Sequence, residues 1–327
     1  MLNFIETKSR YPEEVSASEL MYACRYGKIR SVKKLIKKGF NTYFEAGIAL
    51  MYASMAGHDE VIKVLLENGA NINNRALFFA SLNGHASTVE ILLKHGANIH
   101  AEDEKALITA SEQGYVEVVE ILLKYGADIY AKNDEALRRA VLYNHIEVVK
   151  ILIEAGANIH FDDEYLLRTA SKYGYTPIVA LLLENDADVH AKGEESLKNA
   201  SENGNTETVR VLIKYGADVH TCDDLPLRRA SSEGYVETVR VLIINGADVN
   251  ALNDDAIKSA AHNGHEDVVE LLILNGSNVE ADNDYALKTA IFNKHAKVIE
   301  VLCKMWYKRQ YDSEGKLNGK LWKARKY

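Results

Sequence analysis

Apolar positions in this 327-residue chain recur in blocks of thirty. One block, Ala131 to His160, reads AKNDEALRRAVLYNHIEVVKILIEAGANIH. Leu137, Ala140 and Val141 fall at helical spacing, which predicts a first helix burying that face. Asn133 is a good helix N-cap, and Asp134 after it meets the positive end of the helix dipole. Asn144-His145 closes this helix. Val148, Val149, Ile151, Leu152 and Ile153 predict a second, more apolar helix. Gly156 ends it, as suits a residue that must turn left-handed. Ala157 to His160 reads as an extended finger leading to the next cap. Such a unit is too short to bury its apolar face alone and needs stacked neighbours.

An alanine in the first helix fixes the register: Ala23, Ala53, Ala80, Ala110, Ala140, Ala170, Ala200, Ala230, Ala260 and Ala290. Their spacing is 30, then 27, then 30 seven times. Ten units follow from it. A glycine stands sixteen residues after most of them, from Gly39 and Gly69 to Gly246 and Gly276. The third unit is three residues short between Gly69 and Ala76, so Asn73-Asn74 is expected to cap its helix with a tight or missing finger. Unit six carries Asn185-Asp186 in place of the terminal glycine, and Gly193 sits at the next cap. The joint between units six and seven is the expected soft point.

From unit four on, the first position of helix one is acidic: Glu104, Asp134, Glu164, Glu194, Asp224, Asp254 and Asp284. A base follows four residues later in six of these seven, from Arg138 to Lys288. Acid before base at this spacing is the favourable order, about 0.2–0.5 kcal/mol per exposed pair. These bases are therefore expected to pair with their own acids rather than form a free stripe.

The segments ASEQGYVEVVEILLKYGADIYA (110–131) and GYVETVRVLIINGADVNA (234–251) resemble ankyrin repeats. The resemblance spans roughly residues 16 to 303 and rests on the G-H/Y turn, the V-V-x-x-L-L helix and the G-A-D-V finger in order. It implies an all-α ankyrin-repeat solenoid of about ten stacked helix-turn-helix units with short fingers and capping ends. The family unit is about 33 residues with T-P-L-H opening helix one. Here Ala106-Leu107 and Ala136-Leu137 stand in that place, and only Pro226-Leu227 keeps the P-L pair. This short N-D-x-A-L variety resembles the ankyrin sets of giant DNA viruses of amoebae, which implies a viral protein acting in host cytoplasm.

The domain reading is a leader over 1–15, an array over 16–311 and a basic tail over 312–327. Ser16 to Glu19 resembles a capping box for the first helix. Unit two has an aromatic lead-in, Phe40 to Phe44. In unit ten Lys294 replaces the turn glycine and Trp306 the terminal one, so the last helix is expected to run on through Met305, Trp306 and Tyr307. Those side chains are read as a cap, and 312–327 as a flexible tail.

Three cysteines in different units, Cys24, Cys222 and Cys303, argue against a disulfide framework. No apolar run approaches the roughly 20 residues of a membrane span. Charge is unevenly placed. Residues 1–40 hold nine Lys/Arg and four Asp/Glu, net +5; residues 303–327 hold eight and two, net +6; the total of −8 leaves −19 for 41–302. A basic protein partner suits that middle, and nucleic acid is disfavoured there. The basic residues Lys28, Arg30, Lys33, Lys34, Lys37 and Lys38 read as the wet face of an end cap, with an anion or nucleic-acid patch as the alternative.

Chemistry is sparse. No Gly-rich phosphate loop, H-E-x-x-H, C-x-x-C or nucleophile elbow occurs, so the sequence predicts no enzyme and no cofactor. His100, His160, His190 and His220 share one finger position. Stacked positions roughly 8–10 Å apart cannot converge on one metal with bonds of about 2 Å, so these histidines are expected to contact the next finger's backbone. His58, His85, His145, His265 and His295 alternate with tyrosine at the inter-helix turn, which suits packing and hydrogen bonding.

What remains is surface. In the family, partners meet the concave side, which points to the two positions before each turn glycine. The candidate partner-binding residues are Gln113, Leu142, Tyr143, Lys172, Tyr173, Asn203, Glu233 and His262. Leu142, Tyr143 and Tyr173, on successive units, are expected to form an apolar-aromatic patch of the kind found at interface hot spots. The reading is a monomeric, non-enzymatic scaffold that binds a protein. The alternative is an adaptor recruiting host machinery through its terminal segments. Some viral ankyrin proteins use an F-box-like domain for that, and these flanks look too short to hold one.

Overall fold

The structure, a computed structural model, describes residues 12–38 and 45–310, with side chains described over 18–38 and 47–304. The leader, the Phe40 to Phe44 lead-in, Gly39 and the 312–327 tail lie outside the described residues in whole or part, as do the side chains of Ser16, Trp306 and Tyr307. Among the described residues every regular element is a helix.

The chain forms two units, residues 1–159 and 160–327. The first holds α1 (Pro12–Arg25), α2 (Ile29–Lys37), α3 (Glu45–Met55), α4 (Asp59–Glu67), α5 (Asn74–Leu82), α6 (Ala86–Lys94), α7 (Lys105–Gln113), α8 (Val116–Lys124), α9 (Ala131–Leu142) and α10 (Ile146–Glu154). The second holds α11 (Phe161–Tyr173), α12 (Thr176–Glu184), α13 (Ala191–Glu202), α14 (Thr206–Lys214), α15 (Thr221–Glu233), α16 (Val236–Ile244), α17 (Ala251–Asn263), α18 (Glu266–Leu274), α19 (Ala281–Phe292) and α20 (Ala296–Gln310). Each unit is five helix pairs. Within a unit, odd helices stack on odd and even on even. Two expectations meet the structure at the ends. Helix α1 opens at Pro12, four residues before Ser16, and α20 runs past Tyr307 to Gln310.

The core follows the apolar pattern. All ten column alanines are at most 2 % exposed, because a methyl group lets neighbouring first helices approach closely. In α10, Val148, Val149 and Leu152 are fully buried. The finger is not extended to its end as expected: it closes in a turn at 189–190, with His190 at φ −86° and ψ −2°, and Ala187 and Val189 are buried while Asp188 and His190 face out.

Successive repeats interlock at the turn between their helices. His58, His85, His145, His265 and His295 each place Nε2 2.9–3.1 Å from a carbonyl in the preceding repeat's first helix, on Arg25, Met55, Glu112, Ser232 and His262 respectively. The imidazole N–H donates. Asn205 does the same with its amide, to Ser171 and Lys172. The ring then lies over the preceding turn glycine. At Gly264, φ is +85° and a Cβ would stand 2.7 Å from His295 Nδ1. Glycine is needed there both for backbone freedom and for close approach.

The finger overturns the simple N-cap reading. Lys132, Asn133 and Asp134 all have positive φ, 52°, 57° and 54°. The same left-handed triplet recurs at 102–104, 162–164, 192–194, 222–224, 252–254 and 282–284. Gly193 is the middle of its triplet, not a cap. The 27-residue third repeat lacks the triplet; there Asn73 caps α5 directly, its side chain accepting from Ala76 N at 3.0 Å. The three extra residues of the longer repeat are this turn. Three left-handed non-glycine residues in a row are unfavourable by about 1–2 kcal/mol each, so something must hold them.

Side chains on both sides of the turn do so. The third residue is buried in six of the seven, at 2 % exposure for Glu104 and 4 % for Asp254, and half-buried at Asp284. An aspartate there reaches the following finger: Asp134, Asp224 and Asp254 accept from the backbone N–H of Asn158, Asp248 and Asn278 at 2.6–2.9 Å. A glutamate instead bonds the histidine four residues before it, Glu164 to His160 at 2.6 Å and Glu194 to His190 at 2.5 Å; Glu104 pairs with His100 in the same way. The finger histidines therefore contact a carboxylate of their own repeat, not the next finger's backbone. Asp224 makes both contacts, with His220 Nδ1 at 3.1 Å in its own finger and with the Asp248 N–H in the following one.

The expected acid-to-base pairs do not form in that order. Arg168 donates to the carbonyls of Asp162 and Asp163 at 2.7 and 3.0 Å, and Arg228 to those of Cys222 and Asp223 at 3.2 and 3.0 Å. Arg138 treats Lys132 and Asn133 likewise. The guanidinium closes the left-handed turn, and the acid is buried on its other side. Lys198 pairs with Glu195, and Lys258 with Asp282.

Candidate functional site

Three features of the frame leave one surface open. The column alanines bury one side of each first helix, the turn rings cover its end, and the fingers fix its start. What stays exposed is the row of residues between, and each repeat fills it differently. Gln113 and Tyr143 are exposed on the first unit, and Leu142 beside Tyr143 is half-buried. Lys172, Tyr173, Asn203, Glu233 and His262 are exposed on the second. The anticipated patch therefore has its members on both units: Leu142 and Tyr143 on the first, Tyr173 on the second.

The second unit carries a cleft of about 440 Å³ on this row, lined by Ser232, Asp255, Lys258, Ser259, His262, Asn263, Asp282 and Tyr285. Its charges are mutually satisfied. Arg228 Nη1 lies 3.1 Å from Asp255, and Lys258 and Asn253 both bond Asp282. His262 Nδ1 meets the Thr289 hydroxyl at 2.9 Å, and Asn263 donates to the Ser232 carbonyl at 2.7 Å. The polar walls are thus held in place before anything binds. Apolar surface stands next along the row, with Phe292 84 % exposed and Tyr285 46 %. At the other end of the unit Tyr173 stacks on Tyr175, centroids 5.7 Å apart.

Among the candidates, His262 alone lines the cleft. Asp255, Lys258, Asp282 and Tyr285 were not singled out from sequence. The signal was present: they occupy the start of helix one and the base column, which face the same way as the pair before the turn glycine.

Reactive chemistry does not gather here. Burial pushes the Cys24 thiol up to about 12, so it stays protonated and inert. Cys222 and Cys303 are exposed and unbridged. Among the described residues no three His, Cys, Asp or Glu side chains converge as metal ligands, and no helix is long and apolar enough to cross a membrane. The hydrogen bond from His190 to Glu194 raises the histidine above its ordinary value, with Asp188 and Asp218 adding to it.

A family model described as ankyrin repeats matches residues 14–76, 77–163, 137–223, 166–253 and 227–312. The chain belongs to the ankyrin-repeat family. Among solved structures it is similar to the human ASB11 ankyrin repeat domain, at 25 % identity and a TM-score of 0.53, covering 61 % of this chain and 98 % of that one. No curated protein matches. Solved chains that match number 315, so the ankyrin fold alone does not select a partner. Ankyrin repeats as a class generally serve protein–protein interaction, typically without enzymatic activity.

Proposed function

We propose that the chain is a non-enzymatic scaffold that binds a protein along the exposed row of its first helices. The observation that carries this is the combination on the second unit: a pre-held polar cleft around His262 with the exposed aromatic rings of Tyr285 and Phe292 beside it. A polar cleft fixes orientation, and a neighbouring aromatic supplies the apolar anchor. Because the walls are already bonded to one another, little side-chain freedom is lost on association. Tyr173 and Lys172 extend the row to the start of that unit. Gln113, Leu142 and Tyr143 offer a second contact area on the first, and Asn203 and Glu233 lie between. The resemblance of its short repeats to the viral ankyrin sets supports the finer reading of a host-directed protein whose partner is in the host cell interior.

The test is quantitative capture from host-cell lysate with the parent chain and with Phe292→Ala, His262→Ala, Tyr173→Ala and Leu142→Ala variants. All but Leu142 are exposed, so melting temperature should stay at the parent's for those three. The expected result is a partner set lost at least tenfold, about 1.4 kcal/mol or more, by Phe292→Ala or Tyr173→Ala. Unchanged capture by all four variants would sink the proposal.

A further inference from the structure

From Leu20 to Lys38 the first repeat carries charge of one sign. Between Leu20 and Lys38 there are seven cations, Arg25, Lys28, Arg30, Lys33, Lys34, Lys37 and Lys38, and no acid. All seven are exposed, and none forms an ion pair with another described residue. Elsewhere in the chain bases are mostly held: by an acid, as in Lys258 with Asp282, or by turn carbonyls, as in Arg168. On α2, Arg30, Lys33, Lys34 and Lys37 repeat at helical spacing and form a single stripe, while Val32 and Leu35 bury the other side. An end repeat needs a wet outer face, but mixed charge would give that; seven of one sign exceed the need.

Two aromatic rings stand beside the cations. Tyr22 on α1 and Tyr26 in the turn just after it are 54 % and 56 % exposed, with centroids 4.7 Å apart. Lys28 Nζ sits 4.4 Å from the Tyr22 ring centre and 3.3 Å from its hydroxyl, and the Arg25 guanidinium 5.9 Å from the Tyr26 ring centre. Exposed rings beside Arg25 and Lys28, on the same repeat as the α2 stripe, are the two components that hold a single nucleic-acid strand: phosphates on the cations, bases on the rings.

We infer that the first repeat is a binding site for single-stranded nucleic acid, formed by the α2 stripe and the Tyr22–Tyr26 pair, and separate from the protein-binding row of the second unit. A lipid surface would use the charge but not the rest. On α2 Val32 and Leu35 are spent in the core and Ile29 and Ile36 are half-buried, so none of its apolar residues stands fully exposed to insert. The acidic middle of the chain is not an obstacle. Screening is about 8 Å at physiological salt, and packed helices lie roughly 8–10 Å apart, so acids past the second repeat are damped. The acids on α4, which packs against α2, are engaged: Asp59 accepts from Ser87 and Thr88 at 2.5 and 2.6 Å, and Glu60 pairs with Lys63 at 2.8 Å. Apart from Glu60, the acids of these helices are Glu13, Glu14 and Glu19 on α1 and Asp59 and Glu67 on α4, five against seven cations.

The experiment is fluorescence anisotropy of a labelled fifteen-residue oligothymidylate with the full chain, over 50–300 mM salt. Affinity should fall with salt along a log–log slope of about −3, as four or five phosphate contacts at −0.7 each require. Lys33→Glu with Lys34→Glu and Lys37→Glu should weaken binding at least about tenfold and flatten the slope. Tyr22→Ser with Tyr26→Ser should weaken it about tenfold and leave the slope unchanged. If charge reversal disturbs folding by circular dichroism, the same three lysines changed to glutamine carry the test. No anisotropy change at 50 mM salt, or equal affinity for parent and lysine variants, would overturn the inference. So would flotation with vesicles containing phosphatidylserine in the absence of oligonucleotide binding.

Discussion

At the scale of single residues, glycines in this chain do two different jobs. Gly276 ends α18 with φ at +106° and open space where a Cβ would go. Gly264 has φ at +85° and the His295 ring where a Cβ would go. Replacing either by alanine strains the backbone by about 1–2 kcal/mol. Only at Gly264 does the substitution also drive a side chain into a packed ring, adding roughly 1–3 kcal/mol. Urea unfolding of Gly264→Ala and Gly276→Ala should show that gap; equal losses would mean the ring moves aside freely. The turn position was legible in the sequence because Gly recurs beside His or Tyr. Its partner was not. The ring that needs Gly264 free sits 31 residues further on, and nothing local marks it.

At the scale of the element, the finger decides how far sequence reasoning reaches. Helix pairs, their register and the shortened third repeat follow from apolar spacing and one missing triplet of residues. The left-handed turn does not. Asp134 was read as an ordinary first-turn acid because a helix dipole favours that residue, and the arginine four places on completed a familiar pair. What distinguishes the real arrangement is backbone sign, which the sequence shows only as a surplus of Asn, Asp and Gly at 133–134, 162–163, 193, 223–224, 253–254 and 282–284. The same limit applies to the candidate row. Its positions could be placed from the turn glycine, whereas the cleft around His262 arises from side chains of three repeats meeting in space.

The finger also carries a testable pH dependence. His190 is raised above its unfolded value of about 6.5 chiefly by its bond to Glu194. A raised histidine stabilises the fold fully below the unfolded value, and loses that contribution as pH climbs through the folded one. Nuclear magnetic resonance titration of the His190 ring should give a midpoint above 6.5, falling back toward it in Glu194→Gln. A midpoint unmoved by that substitution would assign the shift to Asp188 and Asp218 instead.

At the scale of the whole molecule, each 30-residue block holds one half of every contact with the block on either side. Most blocks offer a turn glycine to the side chain that follows, a histidine or tyrosine ring or, at Gly174, the Asn205 amide; Asn144 and Lys294 stand where two blocks lack that glycine. In the second unit Asn205 bonds the end of α11 and Tyr235 covers Gly204; Thr176 meets Thr208, and Thr206 meets Thr238, each at 2.8 Å. Removing residues 191–220 should therefore bring Tyr235 over Gly174 and Thr238 to Thr176, with both joints intact. Such a chain should still unfold cooperatively on heating, at a melting temperature lowered by only a few degrees. A non-cooperative melt would show that neighbours are matched individually. The interlocking of ring and glycine thus bears on ancestry as well as stability. A gene that gains or loses whole blocks yields a foldable product at the first attempt, so the length of the array can drift between generations while the exposed row is sampled anew.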